Sequence, residues 1–159
     1  MRSLPLTTLL AGCFPELTGE PAEPPADLMV SLASGPEADT VDAGSENVEV
    51  GCANFAANVT ATVDGLLFMD ANQAGLAGSA ILTENDEPIT DETRATPTGD
   101  LGFRDLNWTV TEGTNRILCL IVDFGVYGGT AEYGLPAPEM VDTENSVDGN
   151  AIFGPVEVN

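Results

Sequence analysis

Lysine and histidine are both absent from the 159 residues, and four arginines are the only cations set against 26 aspartates and glutamates. Each absence removes a class of chemistry. Without histidine there is no Ser-His-Asp or Cys-His relay and no imidazole metal site. Without lysine there is no Schiff-base catalysis and no phosphate-binding P-loop lysine. A net charge of −22 leaves no cationic face able to displace counterions from phosphate, so DNA and RNA are excluded as direct partners. Aromatics are scarce, with one Trp and two Tyr, too few for the sugar-stacking cleft that a pair of glycosidase carboxylates requires. Asp-Thr-Gly, Asp-Ser-Gly, Gly-x-Ser-x-Gly and Gly-x-Gly-x-x-Gly are all missing. The expectation is a protein that is not an enzyme.

What remains is enough to fold. A chain of this length buries a sound core as one domain, and an apolar content of 43% argues against disorder despite the charge. Carboxylates hold water and cations tightly, and the lack of lysine removes weakly hydrated stems. That balance keeps a protein soluble in molar salt, where the Debye length falls to about 3 Å. Salt adaptation is therefore the first reading of the charge.

The chain opens with Met1-Arg2, a short apolar run from Ser3 to Leu10, and Leu10-Ala11-Gly12-Cys13. The tetrapeptide resembles a bacterial lipobox, although the segment before it is shorter and less basic than most. The resemblance implies that residues 1–12 are a lipoprotein signal peptide and that Cys13 becomes the diacylglycerol-bearing N-terminus. The run falls well short of the ~20 apolar residues that a spanning helix needs. Residues 13–27 carry Pro15, Pro21, Pro24 and Pro25 among Glu16, Glu20, Glu23 and Asp27. Proline and charge prevent packing, so this segment reads as a semi-rigid tether of roughly 30–40 Å at about 3 Å per residue.

Residues 28–159 read as one all-β domain, because turn residues recur every 8–12 positions with short β-branched runs between them. Nine strands are expected, at 28–33, 47–52, 59–63, 66–69, 79–83, 106–111, 116–124, 130–133 and 151–158. Asp64-Gly65 suits a tight hairpin turn between the third and fourth, and Glu112 to Asn115 suits another before Arg116. The run Ile117 to Val122 is apolar on both faces and belongs mid-sheet with cover on each side. Ala53 to Ala57 has the composition of a helical turn too short to stand alone. Cys52 and Cys119 lie in two central strands of an exported domain and are expected to close a disulfide between facing sheets. Trp108, in the alternation Leu106, Trp108, Val110, reads as core.

Three segments together, Gly44 to Phe55, Val59 to Phe68 and Leu106 to Asp123, resemble an immunoglobulin-like repeat of bacterial and archaeal surface proteins. The resemblance covers about 44–158. It implies an immunoglobulin-like antiparallel β-sandwich of about 7–9 strands at a cell surface, and says nothing of activity. Its motifs encode only strands and turns, and the cysteine pair is not usual in such repeats.

Two acidic groups, Glu84, Asp86 and Glu87 in one loop and Asp142, Glu144 and Asp148 in another, are weak candidates for calcium, which wants six to eight oxygens. In a chain this acidic such clusters also arise without a metal. Asp70 to Gly75 begins like an EF-hand loop but has Ala74 at a ligand place and Ile81 where the bidentate Glu belongs, so it reads as a strand connection. Asn58-Val-Thr60 and Asn107-Trp-Thr109 are formal glycosylation sequons, which the abundance of threonine explains by chance. The function expected is a lipid-anchored cell-envelope β-sandwich with a structural or adhesive role. Its partners are the membrane through the anchor and a surface protein or glycan. The alternative is a calcium-dependent ligand- or glycan-binding module.

Without residues 1–12 the chain keeps three arginines against 26 acids, a side-chain net charge of −23. These charges repel one another more in the folded domain than in the expanded chain. Its melting temperature should therefore rise with NaCl from about 0.05 M to about 2 M, and equally with KCl at matched ionic strength. A flat response in thermal melts would refute salt adaptation.

Overall fold

From Leu28 onward the chain holds short stretches in which buried side chains recur at every second residue, and these fold as strands. The computed structural model describes residues 23–159; the expected signal segment 1–12, Cys13 and the first part of the expected tether lie outside the described residues. The strands are β1 (Leu28–Ser34), β2 (Thr40–Val41), β3 (Val48–Ala57), β4 (Ala61–Val63), β5 (Gly65–Asp70), β6 (Ala77–Glu84), β7 (Glu87–Pro88), β8 (Thr93–Arg94), β9 (Leu101–Phe103), β10 (Trp108–Val110), β11 (Asn115–Phe124), β12 (Gly129–Leu135), β13 (Val141–Asp142), β14 (Val147–Gly149) and β15 (Ala151–Val158). One helical turn, Pro138–Met140, interrupts them.

Two mixed sheets enclose a single core. The first runs β14-β1-β3-β11-β6-β7, with β8 also on β6; the second runs β13-β5-β12-β15-β2, with β9 also on β5. The small β4–β10 ladder stands apart from both. Phe55, Leu118, Leu120 and Val122 from the first sheet meet Phe68, Tyr133, Phe153 and Val156 from the second, all buried. Phe68 packs on Phe153 with ring centroids 5.8 Å apart, and Phe124 on Tyr133 at 6.5 Å.

All nine expected strands are present in whole or part, and the differences have physical causes. Ala53 to Ala57, whose composition allowed a helical turn, is the second half of β3, where Ala53, Phe55 and Ala57 face the core while Asn54 and Ala56 turn outward. A period of two overrides alanine's helix propensity once a neighbouring strand supplies the ladder. Asp64-Gly65 is no hairpin. Neither residue has positive φ, and β4 and β5 run on in one direction while changing partners, β4 to β10 and β5 to β9, β12 and β13. Turn 111–114 likewise carries the chain from the β4–β10 ladder to the first sheet, and β10 and β11 do not pair. Six strands of two or three residues, β2, β7, β8, β9, β13 and β14, escaped the sequence reading because they are too short to show a period.

The pairing is mostly antiparallel, with two short parallel pairs, β1 with β14 and β2 with β15. β11 does lie mid-sheet, between β3 and β6. Its second face is not covered, however: Ile117 is exposed, and Cys119, Ile121 and Asp123 are half-buried. That outer face carries the disulfide. Cys52 and Cys119 are directly opposed on β3 and β11, with Cα atoms 4.0 Å apart, the close spacing of a non-hydrogen-bonded antiparallel pair. The bond therefore links neighbouring strands of one sheet, not two facing sheets as the sequence spacing had implied.

One step along β3 the register shifts between Leu120 and Ile121 of its partner. Gly51 sits at this irregularity with φ +150°, and a Cβ there would lie 2.3 Å from Cγ of Phe153 on the opposite sheet. Only glycine admits both the backbone angle and the ring.

Gly51→Ala should therefore destabilise the domain by roughly 2–4 kcal/mol, from overpacking plus backbone strain. Gly113→Ala, at φ +73° with nothing within 4 Å of the new Cβ, should cost only about 1–2 kcal/mol of backbone strain. Reducing the Cys52–Cys119 bond, which closes a loop of 67 residues, should cost on the order of 4 kcal/mol. Denaturant unfolding of the three proteins, with equal costs for the two glycine variants as the contrary outcome, checks the packing argument.

Candidate functional site

The six sequence-derived calcium candidates do not converge. Glu84 ends β6, Asp86 and Glu87 follow it, and Asp142, Glu144 and Asp148 lie on or beside β13 and β14. Asn85 and Asp86 both have positive φ, 51° and 64°, which makes the segment a two-residue hairpin turn from β6 to β7. Among the described residues the one trio of ligand-type atoms within 4.8 Å is Glu49 with Cys52 and Cys119, whose sulfurs are bonded to each other. No three of the six carboxylates meet at that distance.

Glu84 has another role. Arg116, on β11, donates Nε to Glu84 Oε1 at 2.6 Å, pairs through its second guanidinium nitrogen with Oε2, and donates Nη1 to the Thr109 carbonyl at 2.6 Å. The guanidinium lies over Trp108, 4.6 Å from the ring centroid, and Trp108 meets Phe55 edge-on at 5.2 Å. This fork, stacked and doubly paired, ties the β4–β10 ladder to the first sheet. The Arg116 guanidinium, aided by the indole N–H, holds the Glu84 carboxyl below its ordinary range against the opposing effect of burial.

Among the described residues Asp70 is the one fully buried carboxylate, 1% exposed. Its oxygens accept the backbone N–H groups of Asn72, Ala74 and Glu132 at 3.0–3.1 Å. Its own N–H donates to Asp100. The loop 71–76 is thus a β5–β6 connection wound around a side chain, and its oxygens are spent on the protein.

Two surface features are left over by these structural roles. A polar groove of about 800 Å³ borders β9, lined in part by Thr90, Asp91, Arg104 and Asp105, and a second cleft of about 390 Å³, with mixed lining, reaches from β9 to Asp64, Glu139 and Asp142. Arg104 borders both and is in no ion pair among the described residues. The second feature is the β11–β12 loop, where Val126 and Tyr127 are 78% and 75% exposed between Gly125 and Gly128. No other large apolar side chains of the described residues stand so far into solvent. The sequence reading passed over both, because a lone Val-Tyr pair and scattered acids carry no pattern.

No protein-family model matches the chain, and no curated protein matches it. Among solved structures, the crystal structure of BslA, described as a bacterial hydrophobin, aligns with 86% of this chain and 95% of its own at 10% identity and a TM-score of 0.41. Nothing is carried from that protein to this one at such values.

The carboxylates give opposite pH signatures. Glu84 is held low, so its contribution is complete above the ordinary glutamate range and is lost as pH falls through the lowered value. Glu49 is raised, first by burial and then by the charges of Glu37 and Asp86; its contribution is complete in acid and is lost as pH rises through the raised value. Glu84→Gln should therefore cost about 1–3 kcal/mol at pH 7, fading as pH falls through the lowered value. Glu49→Gln should raise the melting temperature at pH 7 and change little in acid. Urea unfolding and thermal melts across pH check both signs.

Proposed function

We propose that this chain is an exported, lipid-anchored β-sandwich module of the cell envelope, with an adhesive or structural role and no chemistry of its own. One observation carries the reading: the chain enters the domain at one pole and offers its exposed apolar loop at the other. The entering residues are held at the first pole, where Asp27 N–H donates to Ser146 Oγ and Asn58 Nδ2 donates to the Ala26 carbonyl. Leu28 pairs with Ala57, next to the Ala56–Asn115 pair. β11 then runs from Asn115 to Phe124, about 30 Å at roughly 3.3 Å per residue, and delivers Val126 and Tyr127 beyond its far end. A domain tethered at one end and apolar at the other is suited to reach away from a membrane. Exposed aromatics of this kind are frequent anchors in protein interfaces.

The strand order supports an immunoglobulin-like assignment. β1-β3-β11-β6 and β5-β12-β15 follow the ABED and CFG order of a seven-stranded constant-type domain. The Cys52–Cys119 bond supports export, since such bonds persist in oxidising compartments, and among the described residues no helix is long and apolar enough to cross a membrane.

Cys13→Ser should move the protein from the membrane fraction to the soluble or unprocessed one in its native host. Val126→Ser with Tyr127→Ser should leave fractionation unchanged and lower attachment of the cells to their substratum or to each other several-fold. Unchanged fractionation of the Cys13 variant counts against the anchor, and unchanged attachment of the loop variant counts against the adhesive role. Attachment that requires millimolar calcium at fixed ionic strength would favour the calcium-dependent alternative.

A further inference from the structure

We propose that Asn107 carries an N-linked glycan, with the polar groove beside β9 as the bed for its first sugars. The inference rests on export, as proposed above, and on a contrast between the two sequons of the chain. Asn58-Val59-Thr60 offers an amide that is already engaged: Nδ2 donates to the Ala26 carbonyl at 2.8 Å, and the backbone N–H to the Asp27 carbonyl. Asn58 is thus part of the clasp that holds the entering chain.

In Asn107-Trp108-Thr109 the engaged group is the hydroxyl and not the amide: Thr109 Oγ1 shares a hydrogen bond with Thr62 Oγ1 at 2.9 Å. Asn107 is exposed in the β9–β10 loop, and its amide has no hydrogen-bond partner among the described residues. Trp108 turns into the core at 6% exposure, so the strand alternation presents its neighbour to solvent. The loop is held up by two left-handed residues, Asp105 at φ 55° and Asn107 itself at φ 45°. Asparagine and aspartate tolerate that angle better than other non-glycine residues. An exposed sequon on a loop of an exported domain is an acceptor for glycan transfer.

The neighbourhood adds a second observation. Arg104, Asp105 and Leu106, the three residues immediately before Asn107, all line the cleft of about 800 Å³. Arg104 is in no ion pair there among the described residues. Guanidinium donors and carboxylate acceptors together match the alternating hydroxyls of a sugar ring.

The donor is a polyprenyl phosphate- or diphosphate-linked oligosaccharide. A bond forms between Asn107 Nδ2 and the anomeric carbon, and the bond from that carbon to the phosphate oxygen breaks. The lipid phosphate leaves with the electron pair, and the amide proton passes to the transferase's base.

The test is peptide mass spectrometry of the protein isolated from its native host. The expected result is a peptide spanning 105–111 heavier by whole sugar residues, beside an unmodified Asn58. Asn107→Asp, which keeps the tolerated backbone angle, and Thr109→Val should abolish the increment; Thr109→Ser and Asn58→Asp should keep it. Closure of the Cys52–Cys119 bond reports folding and export in each variant. Unmodified Asn107 in membrane-associated, disulfide-closed protein overturns the glycan alone. Unmodified Asn107 with free thiols in the cytoplasm overturns both the glycan and the export reading.

Discussion

The β3–β11 ladder is the element on which the rest of the domain hangs. Both strands have ten residues, they lie in the centre of the first sheet, and β1 and β6 are added on their outer sides. The Cys52–Cys119 bond fixes their register from the solvent face. On the core face the irregularity at Gly51 opens the space that Phe153 fills from the other sheet. A one-residue slip in this ladder would turn every core side chain outward, and a cross-strand bond forbids that slip. The covalent and the packed sides of the same few residues thus act on one variable, the register of the first sheet against the second.

The second constraint is charge. With 26 acids and four arginines, almost every carboxylate must face water or a backbone donor, and the fold treats its exceptions individually. Asp70 is buried and satisfied by three N–H groups. Glu84 is half-buried and receives Arg116 in a fork stacked on Trp108. Glu49 has neither device: it sits beside Glu37 and Asp86 and over the disulfide, and its carboxyl is pushed up. One arginine is spent inside the structure, where a planar donor can serve a carboxylate, a carbonyl and an aromatic face at once. Arg104 is left at the surface beside the groove.

Polarity along the strands bears on the proposed role. Antiparallel strands carry chain entry and the β11–β12 loop to opposite ends without any further device, so the proposed tether at one pole would leave the other free. Among the described residues the β9–β10 loop shares no hydrogen bond with Asp27 or with the Val126–Tyr127 loop. A glycan there would shield the flank without covering either the tethered end or the apolar one.

The class of the fold and the composition of its interior could be read from residue order alone. Alternating apolar residues made strands at the expected places, Leu106, Trp108 and Val110 pointed inward, and the two cysteines of the domain had no partner but each other. The absence of lysine and histidine had already removed the catalytic relays, because no fold can supply a missing functional group. Tertiary structure decided which strands are neighbours. Asp64-Gly65 and Glu112 to Asn115 are turn-compatible, and local propensity alone made both into hairpins. Strand pairing depends on hydrogen-bond partners tens of residues distant, so each segment instead crossed from one ladder to another. The same non-local pairing set the disulfide within one sheet and Glu84 against Arg116. It also raised Asn107 and Tyr127 into solvent, since exposure belongs to the folded surface and not to the residue.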